Sequence, residues 1–229
     1  MKNVNFATRR SFIKESAFAG ASLLAAPHAI RAANQANNTI RVGVMGLGRG
    51  VAHVRRFAET PNLEVAYLCD VDESRMARGA KALTKGKAKG VGDFRHILDD
   101  KEIDAISIAT PNFWHTPAAI LAMQAGKHVY VEKPGSHNMA EADMIVKASR
   151  KYDRRVQMGN QRRSYPLVRE GIQRLREGVI GKVLSARTWY NNRRPSIGKG
   201  KPSKPPANLN YELWEGPTPH FPYVDNLVH

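Results

Sequence analysis

The stretch Ile40-Arg41-Val42-Gly43-Val44-Met45-Gly46-Leu47-Gly48-Arg49-Gly50 governs the architecture of the residues that follow it. Its first six positions form an apolar, partly β-branched run suited to a buried strand. The glycines after it open a helix that the periodicity carries to about residue 59. Such a strand–turn–helix can hold a dinucleotide, because glycines let backbone amides approach a pyrophosphate whose charge faces the helix N-terminus. The spacing is irregular: a strict G-x-G-x-x-G would place its third glycine at position 51, where Val51 stands. On these residues alone the turn is either a phosphate site built on Gly46, Gly48 and Gly50 or a structural turn without a ligand. Arg49 either leans over the phosphates or is solvated.

The same alternation recurs downstream. Strands are predicted at 63–68, at two or three residues near Gly90, at 105–109, at 128–131 and at 155–158. Helices are predicted over 74–83, 94–98, 117–124 and from Asn138 to about Arg150, with Asn138 and Glu141 spaced as a capping box. Six short strands separated by helices imply parallel pairing through right-handed crossovers, hence an α/β doubly wound parallel sheet of the Rossmann type. After Gly159 the pattern changes to a basic helix over 165–177, a longer alternating strand over 183–190, and a loop dense in Pro, Gly, Ser and Lys over 193–206. The division expected is a signal at 1–33, a dinucleotide-binding Rossmann domain at 38–160, and the start of a second α+β domain at 161–229.

The 229 residues are 42% hydrophobic and 24% charged, which excludes a disordered tail. The net charge of +16 is local, since residues 151–205 carry fifteen basic side chains and three acidic ones. No nucleic-acid reading module accompanies that segment, and Tyr165, Trp189 and Tyr190 are too few for a stacking platform, so no nucleic-acid partner is expected. A solvated face, subunit contacts or an acidic sugar remain its readings. The single cysteine, Cys69, excludes an intrachain disulfide and a zinc cluster of the usual kind, and no metal site is expected. Thr8-Arg9-Arg10-Ser11-Phe12-Ile13-Lys14, followed by a weakly apolar stretch at 16–26 and small residues, resembles a twin-arginine export signal. It implies a periplasmic or otherwise extracytoplasmic protein, exported already folded. Lys14 and Glu15 leave the apolar stretch far short of the about 20 residues of a membrane helix, so no permanent span is expected.

Asp70 closes the second predicted strand, 24 residues after Gly46, where a carboxylate can accept hydrogen bonds from both hydroxyls of an adenosine ribose. Beside it stand Val71 and Asp72 and no arginine, so a 2′-phosphate would meet like charge and NAD is expected over NADP. Ligands of open parallel sheets lie outside the carboxyl ends of the strands. Thr110, Pro111 and Asn112 end the fourth strand, with Trp114 and His115 just beyond, and Glu132-Lys133-Pro134 ends the fifth. His115 is either a ligand contact or a helix-start histidine satisfied by local backbone.

From Asn38 onward the chain resembles the Gfo/Idh/MocA family, relatives of glucose-fructose oxidoreductase and inositol dehydrogenase, and especially its exported branch. The resemblance rests on the glycine turn, on Leu68-Cys69-Asp70-Val71-Asp72, on Ala109-Thr110-Pro111-Asn112 with His115, and above all on Ala125-Gly126-Lys127-His128-Val129-Tyr130-Val131-Glu132-Lys133-Pro134. It implies that Lys133 is the catalytic lysine, positioning a substrate hydroxyl and sharing in proton transfer. It further implies that Asn112 and His115 line the nicotinamide ribose, with Glu132 held against the same region. Hydride would pass between a carbinol carbon of a sugar or polyol and the nicotinamide. Lys127 and the basic segment are expected to lower the Lys133 pKa.

The segment Leu213-Trp214-Glu215-Gly216-Pro217-Thr218-Pro219 resembles the loop that enters the family's substrate domain. The family's catalytic histidine would lie beyond His229, so impaired activity of this fragment is expected; the resemblance further implies a homo-oligomer at full length. Two other readings stay open: a redox-assisted glycoside hydrolase with tightly bound NAD, and a non-enzymatic dinucleotide-binding protein.

Overall fold

The computed structural model describes residues 39–191 and 194–228; the export-signal residues and Arg193 lie outside them. Six strands, β1 Ile40–Met45, β2 Leu63–Cys69, β3 Lys89–Val91, β4 Ala105–Ile108, β5 His128–Glu132 and β6 Val156–Gly159, form one sheet in the order β3-β2-β1-β4-β5-β6. Every neighbouring pair is parallel. The crossovers carry α1 Val51–Glu59, α2 Glu73–Ala82, α3 Arg95–Asp99, α4 Asn112–Gln124 and α5 Met139–Tyr152. The strand order reverses at β1 and β4, which opens the crevice where such sheets take their ligands.

The sheet is covered on both faces, and this is why its strands read as nearly continuous apolar runs. Val42, Val44, Val65 and Leu68 pack with Leu47, Val54 and Ala82 on one side. Met45, Ile106, Ile108, Val129 and Val131 pack with Ile97, Ala118 and Ala122 on the other. Burying a side chain such as Ile106, 1% exposed, contributes roughly 1.5–3 kcal/mol. The Asn138 side chain caps α5 by accepting from Glu141 N at 2.9 Å, while Glu141 Oε2 accepts from His137 N at 2.8 Å.

Two sequence expectations change. Helix α4 begins at Asn112, not 117. Pro117, which suits a first turn, sits inside the helix and forfeits one bond near its start, whereas Pro111 ends the extended backbone at φ −56° and ψ 152°. The second change is that 183–190 carry no strand. Strand backbone must pair, and among the described residues nothing runs beside it; Leu184, Trp189 and Tyr190 are exposed. Beyond β6 come a 3₁₀ turn at Gln161–Ser164, helix α6 Pro166–Arg176 and helix α7 Tyr211–Glu215, with isolated bridges Asp72↔Leu209 and Pro202↔Val224. These helices form an additional C-terminal helical region after the sheet. Among the described residues no helix is long and apolar enough to cross a membrane.

Candidate functional site

At the carboxyl end of β1 the chain turns at Gly46, whose N–H donates to Cys69 O at 2.8 Å. Gly50 fills the role of the missing third glycine: a Cβ there would stand 2.0 Å from the Gly46 carbonyl oxygen. The short loop thus folds back on itself, and Val51 begins α1. Asp70 fastens this turn, with Oδ2 accepting from Leu47 N at 2.6 Å and Oδ1 from Asp72 N at 3.0 Å. Burial lifts the Asp70 carboxyl above its ordinary value despite those amides and Arg75. Burial and then the Asp70 carboxylate push the Cys69 thiol up, which keeps it protonated and unreactive.

Two cavities lie along this rim. The first, of about 490 Å³, is lined by Gly46, Gly48, Asp70 and Arg75 on one bank and by Thr110 and Pro111 on the other. The second, of about 380 Å³, is lined by Arg49, Asn112, His115, Glu132, Lys133 and Gln161. Both volumes fall in the roughly 300–1,000 Å³ range of small-molecule sites. The cavities share Ala109 and Thr110, so they form one groove running from Asp70 to Lys133. At their junction Thr110 Oγ1 is the one buried side-chain nitrogen or oxygen without a partner among the described residues. A buried hydroxyl in that state calls for a ligand atom or water. An elongated groove, a turn too tight for a Cβ and an orphaned hydroxyl midway fit an extended dinucleotide. Of the residues singled out in the sequence, only Gly50 stands behind the groove, shaping its turn.

In the second cavity Glu132 is the hub. It is 6% exposed. His53 Nε2 lies 3.0 Å from its Oε1, Gln161 Nε2 donates to Oε2 at 3.1 Å, and the Lys133 N–H donates to Oε2 at 3.2 Å. His53 is held from behind by Ser107, whose Oγ lies 2.9 Å from Nδ1. The Arg49 guanidinium approaches the same carboxylate, its Nε 3.8 Å from Glu132 Oε1. Burial raises the Glu132 carboxyl, but the bonds from His53, Lys133 N and Gln161 outweigh it and hold the group below its ordinary value. His53, Ser107 and Gln161 are functional candidates that the sequence reading missed. No local spacing links a histidine in the first turn of α1 to residues 54 and 79 positions away.

His115, 1% exposed, spends both ring nitrogens on backbone: Nδ1 lies 2.5 Å from Pro134 O and Nε2 2.9 Å from Thr110 O. It ties the ends of β4 and β5 together while its ring borders the second cavity. Lys133 is exposed on the rim. Lys127 is not its neighbour, contrary to expectation, because Lys127 Nζ donates to Asp100 O at 2.6 Å at the amino end of β5. The five residues of β5 separate the two lysines at about 3.3 Å each. Among the described residues no group of three or more His, Cys, Asp or Glu side chains could hold a metal ion.

The absence of an arginine beside Asp70 also fails in three dimensions. Arg75, in the first turn of α2, places Nε 3.6 Å from Asp72 Oδ2 and Nη1 3.4 Å from where a Gly48 Cβ would lie. One helical turn brings this cation back to the first cavity, where sequence adjacency showed only Val71 and Asp72.

Comparison with known proteins follows the same lines. A family model described as "Oxidoreductase family, NAD-binding Rossmann fold" matches residues 40–160. The chain is 32% identical over 203 residues to a "Glycosyl hydrolase family 109 protein" of Saccharopolyspora erythraea, covering 77% of this chain and 44% of that one. It is 30% identical over 162 residues to an "Alpha-N-acetylgalactosaminidase" of Shewanella oneidensis, covering 66% and 35%. The chain therefore spans less than half the length of these curated relatives.

Among solved structures it is similar to myo-inositol 2-dehydrogenase from Lactobacillus plantarum, at 28% identity and TM-score 0.59 over 63% of this chain and 43% of that one. The WlbA dehydrogenase from Bordetella pertussis, in complex with NADH and UDP-GlcNAcA, matches at 25% identity and TM-score 0.56 over 61% and 42%. KijD10, a 3-ketoreductase from Actinomadura kijaniata in complex with NADP, matches at 25% and 0.56 over 63% and 46%. The occurrence of NADP in one relative and NADH in another overturns the expected preference for NAD, and Arg75 removes its physical basis.

Proposed function

The chain belongs to the Gfo/Idh/MocA family of oxidoreductases with an NAD-binding Rossmann fold, and we propose that it is an NAD(P)-dependent oxidoreductase moving hydride to or from a hydroxyl-bearing carbon of a sugar or polyol. One observation carries this reading: a single groove whose ends are Asp70 and Lys133 and whose midpoint is the unpartnered Thr110 hydroxyl. The dinucleotide, when bound, supplies the hydride donor or acceptor. Gly46, Gly48 and Gly50 shape the turn for the pyrophosphate. Asp70 and Arg75 flank the adenosine ribose, Thr110 and Pro111 the middle of the groove, and Asn112, His115 and Glu132 the nicotinamide half. Lys133 hydrogen-bonds the substrate hydroxyl oxygen and exchanges the proton at Nζ. Accumulation of reduced cofactor when the protein meets a free sugar or polyol and NAD(P) supports the proposal. Bound dinucleotide with no reduction across a panel of polyols overturns it.

The names of the two curated relatives favour a second reading, a redox-assisted glycoside hydrolase with a tightly held cofactor. Release of nitrophenol from a nitrophenyl glycoside without added dinucleotide distinguishes it. A dinucleotide-binding protein without activity gives neither signal.

Arg75→Ala is expected to weaken NADP more than NAD by about tenfold or more, since a charge-assisted hydrogen bond is worth about 1.5–3 kcal/mol. Parallel titrations with the two cofactors measure the difference. Equal losses would place Arg75 away from the 2′ position.

We also propose a dinucleotide domain at 38–160, export by the twin-arginine route to the periplasm, homo-oligomerisation and no nucleic-acid partner. Export rests on Arg9-Arg10 and the residues after them. Replacing both arginines with lysine in a reporter fusion should retain the protein in the cytoplasm.

A further inference from the structure

Residues 208–217 lie across the first cavity instead of leading away from the dinucleotide half. On the β2 bank, Glu73 N donates to Asn208 O at 3.0 Å, Asn210 N to Val71 O at 2.9 Å, and Asn208 Nδ2 to Asp72 Oδ1 at 3.0 Å. On the β4 bank, Trp114 Nε1 donates to the carbonyls of Leu213 and Trp214, both at 3.2 Å. Gly216 rests on the Trp114 ring at φ +52°, where a Cβ would stand 2.0 Å from a ring carbon. Only glycine allows both that backbone conformation and that approach.

The two sets of fastenings sit on opposite sides of the groove, so the segment bridges it. Leu213, Trp214 and Pro217 line the same cavity as Gly48 and Asp70. The bridge is backed by its own small core of Leu209, Tyr211 and Tyr223, against which Trp214 packs. The Glu215 carboxylate, 5% exposed, braces it further: Oε1 accepts from Phe221 N at 2.6 Å, and Oε2 lies 2.7 Å from His220 Nδ1.

The cavity under the bridge therefore sets charged groups, Asp70 and Arg75 among them, beside the two indoles of Trp114 and Trp214 and the side chain of Leu213. Flat aromatic surfaces beside ribose-binding groups suit a purine base. Resting on the dinucleotide reading, we propose that residues 208–217 are a cofactor clamp, in which Leu213 and Trp214, fastened to Trp114, close over the adenine. A ligand roofed on both banks leaves only when one set of fastenings opens, so the clamp acts on the dissociation rate. It gives this chain a cofactor retained from one turnover to the next, held by a segment outside the residues 40–160 matched by the family model.

Stopped-flow release of reduced dinucleotide, chased with excess ADP-ribose, tests the clamp on the full chain. Trp214→Ala and Leu213→Ala should each release at least about tenfold faster, the equivalent of about 1.4 kcal/mol. Trp189→Ala, at an exposed indole, should release at the native rate. Native-like release from both clamp variants overturns the proposal and leaves the dinucleotide site standing. Failure of the native protein to bind dinucleotide overturns the underlying reading and the clamp together.

Discussion

Lys133→Met should lower kcat/KM by about 10²–10⁴-fold, the contribution of a positioned acid or base, while dinucleotide affinity stays near native. Methionine keeps the unbranched side chain as far as Cε, and the Lys133 N–H to Glu132 Oε2 bond involves backbone, so the rim is preserved. What is lost is the ammonium. Lys133→Arg separates its two possible duties. A guanidinium can orient a hydroxyl oxygen by a charged hydrogen bond but does not give up a proton in the working range. If Lys133 exchanges the proton, the arginine variant keeps substrate affinity, loses kcat, and loses one limb of the native pH–rate profile. A profile that superimposes on the native one removes proton transfer from Lys133. A methionine variant that raises KM at unchanged kcat leaves it an orienting group alone.

The elements legible in the sequence are those whose signal is local and whose burial is two-sided. The runs at 40–45, 105–108 and 128–132 are apolar because helices cover both faces of the sheet, and their carboxyl ends carry Gly46, Thr110 and Lys133 to one rim. Even the irregular glycine spacing had a local cause, since Gly50 can approach the Gly46 carbonyl where no side chain could.

What sequence reading lost lies in contacts between distant residues. Arg75 reaches the first cavity because a helix returns it there. Ser107 and Glu132 meet His53 because β4 and β5 are paired in the sheet and α1 packs over it. The alternation at 183–190 was a true period without a partner strand among the described residues, and alternation alone does not supply one. Gly216 falls in a segment whose sequence resembles a loop, but nothing in that sequence tells that it rests on the Trp114 ring.

Glu132→Ala is expected to destabilise the fold by about 2–4 kcal/mol, because it strands the buried groups that now bond to the carboxylate. His53 loses its partner at Nε2 and the Lys133 amide loses its acceptor. Glu132→Gln should cost less, since the amide oxygen replaces one carboxylate oxygen, and it isolates the charge. The folded-state pKa of Glu132 lies below its ordinary value, so the ionised carboxylate contributes stability that is fully present above the unfolded-state pKa of about 4.3. That contribution fades as pH falls through the lower folded-state value. Urea unfolding of the native protein should therefore show an acid loss that Glu132→Gln lacks in part, and the two curves should converge only once the pH has fallen below the lowered folded-state value. Because Lys133 hangs by its amide from this carboxylate, turnover in Glu132→Gln should fall further than dinucleotide affinity. Parallel stability curves across the whole acid range would mean that the hydrogen bonds around Glu132 are filled equally well by a neutral group, and that its charge serves the ligand and not the fold.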